Sequence, residues 1–357
     1  MANPVITSGE LDYHASGTWT GYASYNAGDP LGTGTGDQVP LAGYIQTGAN
    51  YVGTQSSGNT LVMDAGHEAL FLDDSISPGY NGGARLVNID TIKLGATGDQ
   101  LVDLTSNQYS LNVTSIVGGK GNEIILNSSG NTTIHTGSGN DYVWTGNGND
   151  TIIGGHGTNT YVLGKGNDVV HGGSGFDTVD FSKLSGVITI DIGNHTAILT
   201  DPTTGAVLAT DAIYSIEKVI GTSAGMNLDT GNGVGLVGVG GAGNDSFHVE
   251  GTSDVLSGGG GDNSYDWTRK FVSAQQVTGG ATEITDFQVG KDVLNLSDFL
   301  KGQGIKHAQY SDVVQLVDTA QGTLVDVLAG GKWHELAMLD HVHNASVDSL
   351  VHHMPLV

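Results

Sequence analysis

The sequence predicts an all-β chain, wound as a parallel β-roll or β-solenoid with an irregular N-terminal β region and a capped C-terminal segment. Three observations predict it. Seven nonapeptides run back to back from Gly118 to Asp180. A large apolar residue fills the eighth position of each: Ile125, Ile134, Val143, Ile152, Tyr161, Val170 and Val179. Glycine is abundant, at 58 residues, and proline rare, at 6, which fits ordered turns better than a Pro-rich coil. A flexible Gly/Asn-rich linker would not keep an apolar residue at every ninth position.

In register the repeats read GGKGNEIIL, NSSGNTTIH, TGSGNDYVW, TGNGNDTII, GGHGTNTYV, LGKGNDVVH and GGSGFDTVD. The shared pattern is G-G-x-G-x-D-x-U-x, with U large and apolar. The first six residues make a turn, where glycine permits positive φ and close packing of successive turns. The last three are extended. Side chains alternate faces along a strand, so only the middle one enters the core. Two nonapeptides make one coil, so residues eighteen apart stack on one edge. Asp150 lies over Asp168. Asp141, Asn159 and Asp177 form the opposite column, with Glu123 ahead of them.

Carboxylates stacked about 4.8 Å apart repel one another unless a cation sits between them. Calcium accepts six to eight oxygen ligands, mixing carboxylates with backbone carbonyls. Turn glycines such as Gly146, Gly148, Gly164 and Gly166 leave such carbonyls exposed. The sequence therefore predicts several bound Ca2+ ions, with Asp150 and Asp168 as the most complete site. Asn159 keeps an oxygen but loses charge, so its neighbouring sites are expected to be weaker. Thr132 replaces aspartate, so the Thr132/Asp150 site is expected to be poor or empty. The pattern resembles the calcium-binding repeat of RTX (hemolysin-type) proteins.

Acidic residues number 37 against 12 basic, a net charge of -25. That balance argues against nucleic acid as a partner and against unaided binding to an anionic membrane. Without calcium the acidic edges repel, and much of the chain is expected to stay unfolded. Ion binding is then folding free energy. There is no cysteine, so no disulfide supports an extracellular form. The start, MANPVITSGELDYHASG, lacks a basic and apolar leader, so export by the Sec route is not expected. No stretch approaches a transmembrane span.

Residues 1–117 read as a Gly/Thr/Tyr-rich β region, an irregular solenoid or sandwich leading into the roll at 118–180. The run from ALFLDDSIS to DQLVDLTS resembles segments that precede the repeats in some bacterial RTX proteins. Tyr13, Trp19, Tyr22, Tyr25, Tyr44 and Tyr51 are either β core or a contact surface. Residues 181–230 read as strands, either an antiparallel meander or irregular coils. A second, degenerate block spans 231–266, with GGAGNDSFH, VEGTSDVLS and GGGGDNSYD. Asp245 and Asn263 share one edge there, and Asp254 lies on the other.

Residues 267–300 are expected to cap the solenoid, because a last coil otherwise exposes core and strand edge. ATEITDFQVGKDVLNLSDFL resembles the I-x-D-F-x-x-G-x-D-x-L-x-L-S segment that closes RTX repeats in type I secretion substrates. Asp286 and Asp292 are candidate ligands of a capping calcium, and the resemblance makes 301–357 an uncleaved type I export signal.

Other motifs carry less. Gly221-Thr222-Ser223-Ala224-Gly225 matches G-x-S-x-G, but MNLDTGNGVGLVG cannot supply the following helix of a hydrolase elbow. His67-Glu68 and His334-Glu335 lack the second histidine of a zincin. The 32–37 run lacks the Lys-Ser/Thr of a phosphate loop. His341, His343, His352 and His353 read as a solvated tail or a transition-metal cluster, and Asp73-Asp74 as a ligand pair or a charged turn. The expected function is a secreted structural protein of a bacterial surface layer, filament or biofilm matrix. It would use the type I secretion machinery and self-associate or meet a cell-surface glycan. The alternatives are an RTX adhesin or glycan-binding module and, last, an extracellular enzyme of unrecognised type.

Overall fold

A computed structural model describes residues 10–12, 17–22, 40–45, 51–52, 59–63, 68–71, 86–87, 89–104, 113–127, 130–267, 280–297, 310–329 and 331–351. Asp73-Asp74, His67, the 32–37 run, and His352 and His353 lie outside them. The chain divides into two compact units: residues 1–183 with 211–216, and 184–210 with 217–357.

The first unit is a stack of parallel coils. Each nonapeptide strand pairs with the strand eighteen residues on. Ser115, Thr133, Thr151 and Val169 form one ladder. Ile124, Tyr142, Thr160 and Thr178 form the other. All seven eighth-position residues, Ile125 through Val179, are 0 % exposed. One apolar side chain per strand turns inward and meets the equivalents above and below.

The glycines of the turns hold this stack close. Gly148 and Gly166 have φ of 146° and 145°, which an L side chain rarely adopts. A Cβ on Gly166 would also strike the carbonyl oxygen of Gly148 one coil back.

The stack begins before the nonapeptides. Gln100–Asp103 pairs in parallel with Glu123–Leu126, and Thr91–Lys93 with Ser115–Val117. Thr60–Val62 and Glu68–Phe71 extend the two ladders further back. These coils are longer, and the register steps by 23 residues from Gln100 to Glu123. Of the two expected forms, the described residues between 59 and 117 take the irregular solenoid. Gly17–Tyr22 departs from it and pairs antiparallel with Pro40–Ile45. Beyond Asp180 the first unit gains one more rung, where Ala212 to Tyr214 pairs in parallel with Val169 to His171.

The second unit starts with an antiparallel hairpin, Val187–Asp191 against Thr196–Thr200. Both readings of 181–230 therefore hold locally, since Val187–Asp191 also pairs in parallel with Met226–Asp229. Stacking is established ahead of residue 231: Met226–Asp229, Ser246–Val249, Ser264–Trp267 and Val293–Asn295 form one ladder. Lys218–Ile220, Val237–Gly241, Val255–Gly259 and Thr282–Ile284 form the other.

Capping extends past residue 300. Val314–Asp318, Gly322–Ala329 and Lys332–Asp340 make an antiparallel sheet, whose last strand pairs in parallel with Thr282–Ile284. That sheet covers an edge which would otherwise present unpaired backbone groups. Short helices lie at Tyr310–Val313 and Val347–Leu350.

The register separates adjacent residues sharply. Ile152 is 0 % exposed and Ile153 is 37 % exposed. Ile152→Ala is expected to cost about 2–5 kcal/mol, and Ile153→Ala under about 1 kcal/mol. Denaturant unfolding at saturating calcium checks both, and a reversed order would mean the coils are offset by one residue.

Candidate calcium-binding columns

The residue just before each inward strand sets the chemistry of the turn. In the first unit one column runs Asn59, Asp90, Thr114, Thr132, Asp150, Asp168 and Asp211, as the strand registers place them. The other runs Gln100, Glu123, Asp141, Asn159 and Asp177. Both begin with uncharged residues or a mixture and become acidic through the nonapeptides.

One oxygen of each acid is used structurally. Asp168 Oδ1 accepts the Asp150 amide at 2.9 Å, and Asp211 Oδ1 accepts the Asp168 amide at 2.8 Å. Asp150 Oδ1 accepts the Thr132 amide at 2.7 Å. On the other side Asp141 Oδ1 accepts from Glu123, Asn159 Oδ1 from Asp141, and Asp177 Oδ1 from Asn159. Each side chain therefore fastens its own turn to the previous coil.

The second oxygen is what calls for a cation. Glu123 Oε2, Asp141 Oδ2, Asp150 Oδ2, Asp211 Oδ2 and Asp254 Oδ2 are buried and receive no hydrogen bond. A buried, uncompensated charge is costly unless it is paired or coordinates a metal. The donor set is all oxygen, which suits calcium. Gly146, Gly148, Gly164 and Gly166 lie in the turns between these acids. Gly148 donates to the Lys165 carbonyl and Gly164 to Thr145 Oγ1. Thr145 Oγ1 in turn reaches Asp168 Oδ2 at 3.2 Å.

Burial pushes the carboxyls of Glu123, Asp150, Asp168, Asp211 and Asp254 upward. Asp150 rises to about 7 and Asp211 to about 7, each with a smaller contribution from the Asp168 charge. Burial alone accounts for the rise of Asp168 to about 6 and of Asp254 to about 6. Glu123 reaches about 9, first through burial and then through the neighbouring Asp141 carboxyl.

Thr132 sits beside the neutral Asn127 and the Asp150 carboxylate. Its hydroxyl contacts Asn127 Oδ1 at 3.4 Å, and Asn127 Nδ2 donates to Asp150 Oδ1 at 3.2 Å. In the second unit, Asp245 Oδ1 accepts from Met226, Asn263 Oδ1 from Asp245, and Asp292 Oδ1 from Asn263. Asp292 thus continues the column of Asp245 and Asn263. Asp254 stands on the other edge, accepting from the Leu236 amide at 3.0 Å.

Asp286 joins neither column. Its carboxylate accepts from the Gly258 and Gly259 amides and from Ser257 Oγ, within 2.7–2.9 Å. Asp292 Oδ2 likewise accepts from the Gln288 amide at 2.7 Å. Both acids of the cap bind the last turns through backbone donors.

Asp211 is the column member that spacing conceals. It lies 43 residues after Asp168, not eighteen. The local sequence Asp211-Ala212-Ile213-Tyr214 does keep the D-x-U-x signature. The outer asparagine ladders, by contrast, keep the eighteen-residue spacing: Asn149 accepts from Asn167 and donates to Asn131, and Asn122 accepts from Asn140. Apart from the columns, Asp229, His248 and Glu250 bring ligand atoms within 4.8 Å of one another. His248 and Glu250 form a 3.8 Å ion-pair contact, and a nitrogen donor is foreign to calcium's oxygen preference.

Two outcomes are expected. The double substitution Asp150→Ala with Asp168→Ala raises the calcium concentration needed for folding; an unchanged midpoint in far-UV circular dichroism would contradict the register. The second concerns pH. The folded-state values lie above the ordinary carboxylate range near 4, so their stabilisation is fully present below that range. It is lost as pH rises through about 6 to 9. Metal-free protein is therefore expected to gain β signal on going from about pH 8 to about pH 5.5. Calcium-saturated protein is expected to lose stability over the same interval, because protons compete with the ion.

The model of the RTX calcium-binding nonapeptide repeat matches in 4 copies, over residues 126–161, 162–179 and 237–265. No match is found among curated proteins. Among solved structures, the extracellular lipase LipA from Serratia marcescens is 18 % identical, over 72 % of this chain and 45 % of that one, with a TM-score of 0.22. The chain thus spans less than half of that lipase, and a likeness of that size carries no argument about activity. Repeats of this family bind calcium in several copies, and the proteins bearing them are typically secreted. No helix among the described residues is long and apolar enough to cross a membrane. With its all-β coils and its matched nonapeptides, the chain carries the RTX calcium-binding repeat.

Proposed function

We propose that this chain is a secreted, calcium-dependent structural protein of the bacterial cell surface or extracellular matrix, a component of a surface layer, filament or biofilm. The observation that carries the reading is the pair of acidic columns running through stacked coils. Buried carboxylate oxygens without donors tie folding to calcium. In a low-calcium cytosol a chain of net charge -25 stays extended and exportable through a type I machinery. Outside the cell, calcium folds it. Parallel solenoids then associate through ends and edges with little added chemistry.

We take the chain to have no catalytic role. In support, Gly221 to Gly225 leads into the strand Met226–Asp229, and Ser223 lies on an exposed turn. A hydrolase elbow leads into a helix. His334-Glu335 lies within the strand Lys332–Asp340, where a zincin needs a helix.

A second reading is a secreted adhesin or glycan-binding module. It is favoured by the antiparallel pair Gly17–Tyr22 and Pro40–Ile45, which carries Trp19, Tyr22 and Tyr44 in adjacent strands.

Calcium titrated into chelator-treated protein, followed by circular dichroism, light scattering and electron microscopy, separates the two. The structural reading expects β signal to grow together with ordered sheets or filaments. The same folding transition ending in a stable monomer would contradict it and favour the binding module.

A further inference from the structure

The two nonapeptides that carry asparagine in place of aspartate share a second departure. GGHGTNTYV has Asn159 with Tyr161, and GGGGDNSYD has Asn263 with Tyr265. Tyrosine holds the eighth position in no other repeat. The coincidence occurs once in each unit. Both tyrosines are 0 % exposed, inside an apolar stack where a hydroxyl is costly without a partner.

Geometry gives the hydroxyl a reason. In aspartate repeats the carboxylate lies against the first glycine of its own turn: a Cβ on Gly172 would meet Asp177 Oδ2, and one on Gly240 would meet Asp245 Oδ2. In the asparagine repeats the tyrosine reaches the same place. A Cβ on Gly154 would strike the Tyr161 hydroxyl, and one on Gly258 would strike both the Asn263 amide and the Tyr265 hydroxyl. The Tyr161 hydroxyl donates to the Gly172 carbonyl at 3.2 Å, in the first position of the next turn on that side. Asn159 Nδ2 donates to Asp177 Oδ1 at 2.8 Å. A turn carbonyl and a column carboxylate, both ligand types that calcium uses, are thus held by neutral donors of the protein.

We propose that Asn159 and Tyr161 together close the interval between turns 154–159 and 172–177 without calcium, making it a metal-independent rung within a calcium-dependent column. The two side chains replace the ion: the amide meets the carboxylate and the hydroxyl meets the carbonyl. Tyr161 is the positioning residue that decides occupancy, because it commits the Gly172 carbonyl. Asn263 and Tyr265 repeat the placement, but Asn263 Nδ2 and the Tyr265 hydroxyl have no hydrogen-bond partner, so the assignment is made for Asn159 and Tyr161. It rests on the calcium reading of the columns.

Calcium anomalous scattering from crystals of the calcium-loaded full chain tests it directly. Peaks beside Asp150 and Asp168 with none between Asn159 and Asp177 are expected. A peak between Asn159 and Asp177 would overturn the proposal while leaving the calcium columns intact. Absence of calcium from both places would overturn the columns and the proposal with them. Ion counts from native mass spectrometry give an independent readout. Asn159→Asp with Tyr161→Val is expected to bind one more calcium than the wild type, and Asn159→Asp alone no more than the wild type. A gain by the single variant, or no gain by the double one, would show that the tyrosine does not set occupancy.

Discussion

Like charges stacked one strand spacing apart, inside a fold that shields them from water, are the constraint on which this structure turns. The coil geometry brings Asp150, Asp168 and Asp211 into one line and Glu123 and Asp141 into another. One oxygen of each aspartate fastens a turn to its neighbour, while Glu123 Oε1 accepts from Gly119 within its own turn. The second oxygen of Glu123, Asp141, Asp150 and Asp211 is buried with no donor, and burial raises the carboxyls of Glu123, Asp150 and Asp211 well above their usual range. Removing the acids would loosen the turns, and keeping them without a cation leaves buried charge uncompensated. Calcium resolves both demands at once.

The apolar stack and the glycine turns serve the same end. One inward side chain per strand is a thin core, so each coil depends on those above and below it. Glycine lets turn carbonyls approach the next coil closely, as at Gly166 over Gly148. Neutral cross-links complete the edges, from the outer asparagine ladders to the Asn159 and Tyr161 contacts. The last turns are closed by Asp286, which accepts three donors that no further coil would satisfy.

Where the period is strict, the fold is legible in the sequence. A nine-residue repeat fixes which side chain points inward and which acids align, and Ile125 through Val179 are all buried accordingly. Legibility fades where spacing varies. Asp211 follows a long excursion, so its place in the column emerges only from the pairing of Ala212 with Val169. Gln100 and Thr114 belong to coils of other lengths, and no fixed offset points to them. Tyr161 satisfies the apolar position of the pattern, which hides what its hydroxyl does. Asp286 reads from sequence as a candidate metal ligand, and its contacts with the Gly258 and Gly259 amides and Ser257 Oγ emerge only from the structure.

With these buried carboxylates, calcium uptake and folding are expected to be one equilibrium. Measuring the unfolding free energy of the full chain in denaturant, as a function of free calcium, tests this most directly. Linkage requires that free energy to rise with the logarithm of free calcium, with a slope set by the number of ions taken up on folding. A slope of several ions is expected. A slope of zero, with full β structure kept in chelator at neutral pH, would contradict it.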